Sequence, residues 1–336
     1  MKKQTFLILA IVFFLATPIG VAGLKAEAAT IQLTYATHMP VQHPQTIAAF
    51  NWVKEIEKRS QGRVKIQTFP GGSLVKAPQL YDGVLKGISD IAFGVPAFTR
   101  GRFPVLACID LPMGYPSSLV ATRVANEFAK TVNPEEIQDV KLMYIHAHGP
   151  GVILSKRPVR NLEDLKGMKI RATGTSAKVV KALGGAPVAM PIGQSYEALQ
   201  KGVTEGILVD REALKGWKLA EVTKSVTLCT RVGYTTTFFI VMNKKKWNAL
   251  PDDIKKIIDD LNSKWPDVHA KIWDHGGVEG VKYAKSLGNE IIELSDKEHE
   301  RWVKAVRPVI DDYAAKTPNG KQYVQQIRAL MEKYSK

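Results

Sequence analysis

YDGVLKGISDIAF (Tyr81–Phe93) and YEALQKGVTEGIL (Tyr196–Leu208) are one unit written twice in the same chain. Aligned without gaps, Tyr, Lys and Gly coincide, and Asp/Glu, Val/Leu, Ile/Val, Ser/Thr and Asp/Glu pair by type. Each copy reads as an amphipathic helix, a glycine at its C-terminal end and a buried strand. Helix–Gly–strand units also recur in α/β proteins without kinship. Here polar positions match as well, which packing alone does not require. Two equivalent units imply two α/β lobes of similar architecture with a cleft between them.

The surrounding chain extends the pattern. Ile31, Leu33 and Tyr35 alternate with polar residues, so Thr30–Ala36 reads as a strand. Ile47, Phe50, Val53 and Ile56 recur at helical spacing, and Gly62 closes that helix. Val64, Ile66 and Thr68 alternate into the turn Pro70-Gly71-Gly72. Pro78–Lys86 reads as helix and Ser89–Gly94 as strand. This rhythm of βαβ units predicts a mostly parallel sheet flanked by helices. In the second half, Val140–His148, Val152–Ser155, Met168–Arg171, Pro187–Met190, Gly206–Val209 and Thr235–Met242 read as strands, with Gly149-Pro150-Gly151 as a crossing between lobes. Pro251 opens a helix striped by Ile254, Ile257, Ile258 and Leu261. Trp265–Leu287 continues helical with a bend expected at Gly276-Gly277. Ser295 and Glu298 have capping-box spacing, and Lys321–Tyr334 is the last helix. No low-complexity linker intervenes, so the lobes are expected to interleave. The predicted division is 1–29 as a leader, 30–148 plus 235–274 as the first lobe, and 149–234 plus 275–336 as the second.

The leader has the form of a secretory signal peptide. Lys2 and Lys3 precede an apolar run, Phe6–Ala16, and Ala26-Glu27-Ala28 supplies small residues for cleavage near Ala28/Ala29. The apolar stretch continues weakly to Ala22, where Pro18 and Gly20 interrupt it, which argues against a spanning helix. An exported, periplasmic protein is expected. About 305 residues remain, enough for two domains with a large core. The formal charge of +15 becomes +13 when Lys2, Lys3, Lys25 and Glu27 are removed (+3 − 1 = +2). The basic residues are scattered, the densest cluster being Lys244–Lys246, and no basic arm appears. Nucleic acid is therefore not an expected partner; a basic surface steers anions to a cleft. The two cysteines, Cys108 and Cys229, stand in apolar strand-like contexts, and either pairing or two buried thiols is compatible with export.

Motifs for catalysis are missing: there is no GxSxG, GxxxxGK[ST], HExxH or CxxC, and no dinucleotide fingerprint. His146 and His148 share one face of a strand candidate, but no third metal ligand at fitting spacing accompanies them. Neither a cofactor nor a metal is expected, and the chain is not read as an enzyme.

A binding cleft is better supported. In LKGMKIRATG (Leu165–Gly174) a short strand ends on Arg171, where strand ends of open α/β sheets meet ligands. A guanidinium there holds a carboxylate through two charge-assisted hydrogen bonds, which lysine cannot imitate. The alternative is a surface salt bridge. Other strand ends converge on the same place. The first lobe brings Thr37, His38, Phe93 and Val95; the second brings Thr173, Gly174, Met190, Val209 and Asp210. One cation, a few hydrogen-bonding groups and apolar faces suit an anionic head on an apolar body. Core packing competes for Phe93 and Met190, and an exposed ion pair for Asp210 with Arg211.

Several motifs in order resemble the periplasmic solute-binding proteins of TRAP transporters, the DctP-like family. They are SQGRVKIQTFPGGSL (Ser60–Leu74), LKGISDIAFG (Leu85–Gly94), NLEDLKGMKIRATG (Asn161–Gly174), ALQKGVTEGI (Ala198–Ile207), KLAEVTK (Lys218–Lys224) and MNKKKWNALP (Met242–Pro251). The resemblance implies a type II-like two-lobe fold joined by hinge strands and a long lobe-spanning helix. It implies capture of an organic acid and delivery to a permease of small and large membrane subunits, driven by an ion gradient. Arg171 matches the family arginine that pairs with the ligand carboxylate, and His38, Phe93, Val95, Thr173, Met190 and Val209 match pocket positions. Sialic-acid-type relatives carry a second arginine at the position of Gly151, an acid at Val95 and an asparagine at Val209. Their replacement here points to a monocarboxylate with a larger apolar body, aromatic among the options. Tyr234 offers a ring face to it, as does Trp217 unless that residue is core. A binding protein for an ATP-driven permease or a sensor is the alternative, and a secreted enzyme on small anions the remote one.

Overall fold

The computed structural model describes residues 30–336; the signal-peptide reading lies outside them. The strands, in chain order, are β1 (Ile31–Thr37), β2 (Val64–Phe69), β3 (Ile91–Gly94), β4 (Val140–Ala147), β5 (Val152–Ser155), β6 (Lys169–Arg171), β7 (Ala186–Val188), β8 (Gly206–Val209), β9 (Ser225–Leu228), β10 (Thr237–Asn243) and β11 (Glu290–Glu293). They form two sheets, ordered β2-β1-β3-β10-β4 and β11-β9-β5-β8-β6-β7.

Each sheet is parallel except for one reversed strand. β10 runs against β3 and β4 in the first sheet. β5 runs against β8 and β9 in the second. Both reversed strands directly follow a crossing between lobes. β4 leaves the first sheet and the chain enters the second as β5; β9 leaves the second and the chain returns as β10. A strand that enters a sheet from the side where its neighbours exit must run opposite to them. The C-terminal ends of the other strands therefore face the crossings, and that edge is the cleft.

The repeated units occupy matching places. Leu80–Leu85 leads to β3, and Ser195–Gln200 leads to β8. Gly87 and Gly202 turn between helix and strand with φ of 72° and 75°, a region where a side chain is strained. β3 and β8 are each the neighbour of their sheet's reversed strand.

Alternation along the strands builds a core on each face of each sheet. In β10, Phe238, Ile240 and Met242 join Trp52 and Trp273, whereas Phe239 and Val241 join Phe128. In β5, Ile153 packs with Trp302 on one face, and Val152 and Leu154 with Leu214 on the other.

The helix Trp265–Ser286 rises about 33 Å at 1.5 Å per residue. It packs on Pro44–Arg59 and Ser118–Val132 of the first lobe and on Ala213–Gly216 of the second. It runs through Gly276 and Gly277 without a break. Gly276 marks a close approach rather than the expected bend: a Cβ there would lie 2.6 Å from the Glu212 side chain.

The C-terminal division differs from expectation. In Asp296–Lys316, Trp302 and Val306 lie in the second lobe's core, but Val309, Ile310 and Tyr313 lie in the first's. Val324, Ile327 and Leu330 of the last helix, Gly320–Tyr334, also pack in the first lobe. An apolar stripe shows that a helix is buried, not which sheet it meets. Cys108 and Cys229 are free buried thiols in the cores of different lobes.

Candidate functional site

Arg171 ends β6, in register with Ile207 of β8 and Val188 of β7. The capping box of Asn161 and Asp164 fixes the short helix before it, and Gly167 (φ 72°) turns the chain into the strand. The side chain is 5 % exposed. Its Nε and Nη2 donate to the Met190 carbonyl oxygen at 2.9 and 2.8 Å. A guanidinium has five N–H donors, so this contact fixes its plane and leaves the Nη1/Nη2 edge unspent. No carboxylate among the described residues pairs with it. Burial lowers its pKa from the ordinary arginine value to about 10. A buried cation without a counter-charge is costly, and an anion on the free edge offsets that cost.

Around it lies a cavity at the cleft, walled by residues of both lobes and of the crossings. The first lobe contributes His38, Met39, Val95 and Phe98; the second contributes Thr173, Ser176, Ile192, Val209, Asp210 and Trp217. The crossings add His148, Tyr234 and Thr236, and Phe238 and Trp273 complete the wall. Phe238 and Trp273 stack with ring centroids 5.1 Å apart. Among the described residues lining the cavity, Arg171 is the only arginine or lysine.

Thus Arg171, His38, Val95, Thr173, Val209, Asp210 and Tyr234 are brought together, and four expected residues are not on the wall. Thr37 is buried, its Oγ1 accepting from the Met39 N–H at 3.2 Å. Phe93 stands behind the wall, edge-on to His38 and His146. Met190 acts through its carbonyl. Gly174 faces the other lobe: with φ 54°, it packs where a Cβ would lie 2.8 Å from the Ala97 Cβ. A strand-end argument locates the right edge, but the residue-by-residue alternation sends Thr37 and Phe93 to the core side.

The ring of Tyr234 lies over Gly151, where a Cβ would sit 1.8 Å from it. Tyr234 Oη donates to the Leu208 carbonyl at 3.1 Å, which holds the ring there. No side chain fits at position 151 while the ring stays in place.

Burial shifts the remaining titratable groups of the site. Burial, then the Glu212 charge, pushes the Asp210 carboxyl well above the usual carboxylate range. Burial, then the neighbouring His43 and, least, the Arg171 charge lower His38 to about 4. Behind the wall His146 stacks on His269 at 4.1 Å and accepts from Trp273 Nε1 at 3.0 Å. Burial lowers His269 to about 3 and His146 well below its ordinary value. Among the described residues no group of His, Cys, Asp and Glu is placed to hold a metal ion.

The lobes also touch beside the cavity. His43 Nε2 of the first is 3.3 Å from Glu212 Oε2 of the second, both buried, and the His43 and Trp217 rings are 5.5 Å apart.

Residues 35–317 match the model of the bacterial extracellular solute-binding proteins, family 7 (DctP). A TRAP periplasmic solute-binding protein of Desulfovibrio salexigens is 34% identical, with a TM-score of 0.80 over 91% of this chain and 97% of that one. A marine-metagenome TRAP solute-binding protein, described as specific for aromatic acid ligands and holding 3-hydroxybenzoate, is 30% identical. Its TM-score is 0.87 over 92% of this chain and 100% of its own. One from Rhodoferax ferrireducens, holding benzoate, is 29% identical with a TM-score of 0.86 over 91% and 99%.

Proposed function

The chain belongs to family 7 of the bacterial extracellular solute-binding proteins, and from that premise we propose that its ligand is an aromatic monocarboxylate. At the coarser level it is a periplasmic binding protein for organic acids delivered to a TRAP transporter, not an enzyme. The observation that carries the finer reading is Arg171: a buried, unpaired guanidinium facing a cavity walled by Phe98, Trp217, Tyr234, Phe238 and Trp273.

The ligand carboxylate takes the free edge of Arg171. A charge-assisted hydrogen bond of this kind contributes about 1.5–3 kcal/mol, and more where water is excluded. Thr173 lies beside the head group. Val95 and Val209 add apolar surface, and the rings accept an aromatic body edge-on or stacked. With one cation on the wall, a second carboxylate would be buried unpaired. The aromatic-acid complexes of the two similar structures support the same ligand class. The mature receptor, cleaved near Ala28/Ala29, would hand the acid to the small and large membrane subunits.

A thermal-shift panel tests this reading, since a ligand bound only by the folded state raises Tm by mass action. Benzoate, 3-hydroxybenzoate and mandelate are expected to raise Tm, and succinate and malate are not. A shift with the dicarboxylates alone would overturn it.

A further inference from the structure

His148 lies on the first crossing, between β4 and β5, and lines the cavity. Its backbone is held by the second crossing: the N–H donates to the Thr236 carbonyl at 3.3 Å and the carbonyl accepts from Thr235 Oγ1 at 2.6 Å. In the ring, Nδ1 is 2.6 Å from the Gly149 carbonyl oxygen. A carbonyl oxygen only accepts, so Nδ1 carries the proton. In the neutral imidazole Nε2 is then a bare lone pair. Burial, and to a lesser degree the Arg171 charge, lowers the ring to about 4, which keeps it neutral at pH 7.

No donor among the described residues reaches that lone pair. Tyr234 Oη is committed to Leu208, Trp273 Nε1 to His146, and Ser176 Oγ to the Thr173 carbonyl at 2.8 Å. A carboxylate cannot serve either, since it too only accepts.

We propose that His148 is a specificity-determining acceptor, and that the ligand carries, besides the carboxylate held by Arg171, a hydroxyl that donates to His148 Nε2. This rests on the Arg171 reading above and narrows it to hydroxylated aromatic monocarboxylates. The hydroxyl stands either on the ring or on the carbon next to the carboxylate. His148 belongs to the crossings and not to one lobe's strand ends, so it presents the same lone pair to any ligand the lobes enclose.

Two calorimetric series test it. The ring series is 3-hydroxybenzoate, 3-methoxybenzoate and benzoate; the side-chain series is mandelate, its methyl ether and phenylacetate. The hydroxy acid of one series is expected to bind about tenfold tighter than both its ether and its parent, and which series shows this locates the hydroxyl. In His148→Phe that preference is expected to fall within twofold, and His148→Gln, whose Oε1 again accepts, to restore part of it. Equal affinities within both series of the wild-type receptor would overturn the hydroxyl assignment even if the variants failed to fold. The carboxylate reading would survive that result, since the parent acids would still bind. If no acid of either series binds, both readings fail.

Discussion

In the first lobe the chain beyond β3 carries Val95 and Phe98 to the cavity; in the second, β6 ends on Arg171 and is followed by Thr173 and Ser176. The framework is nearly the same on both sides: one reversed strand per sheet, and a repeated helix–glycine–strand unit beside it. The furnishing is not. The first lobe's strand ends supply apolar and neutral groups, and the second supplies the cation and the hydroxyls. A duplicated framework fixes where strand ends point. The residues just beyond those ends are free to differ, and the chemistry resides there.

The sharpest way to break this comparison is Arg171→Ala. Loss of the only arginine or lysine among the described wall residues is expected to weaken every acid by about 10- to 150-fold, from a loss of about 1.5–3 kcal/mol, whatever its ring. Retained circular dichroism and Tm would show that the lobe is still folded. Affinity within threefold of wild type would place the head group elsewhere. A smaller effect is expected from Phe98→Ala in the first lobe. It removes one ring of several, so aromatic acids should lose about three- to tenfold, roughly 1 kcal/mol of apolar contact. If both substitutions cost the same, the division between the lobes is not real.

Much of the framework is legible in the sequence because it rests on local pattern. The repeat announces two lobes and the buried strand β8, alternation announces β1 and β2, and Arg171 stands out as a charge at a strand end. The last helices are harder. The stripe through Trp302, Val306 and Ile310 is continuous, yet its two halves serve different lobes. Pro308 stands inside the helix near that change of partner. Nothing in the sequence pattern sets the wall residues Phe238 and Trp273 apart, because a residue facing a closed cleft obeys the same periodicity as one facing a core. The same holds for Trp217, which fits a ring face or core equally well. Met190 contributes a carbonyl, which no side-chain pattern announces. Gly276 signals a close neighbour and not a bend, a distinction that needs the position of Glu212.

The most direct measurement is the calorimetric titration of the wild-type receptor with benzoate and with benzamide, which share a ring and differ in the charge offered to Arg171. Micromolar or tighter binding of benzoate with no detectable heat from benzamide is the expected result. Equal affinities for the two, or binding of neither while a dicarboxylate binds, would contradict the assignment of Arg171 as the carboxylate anchor of an aromatic-acid receptor.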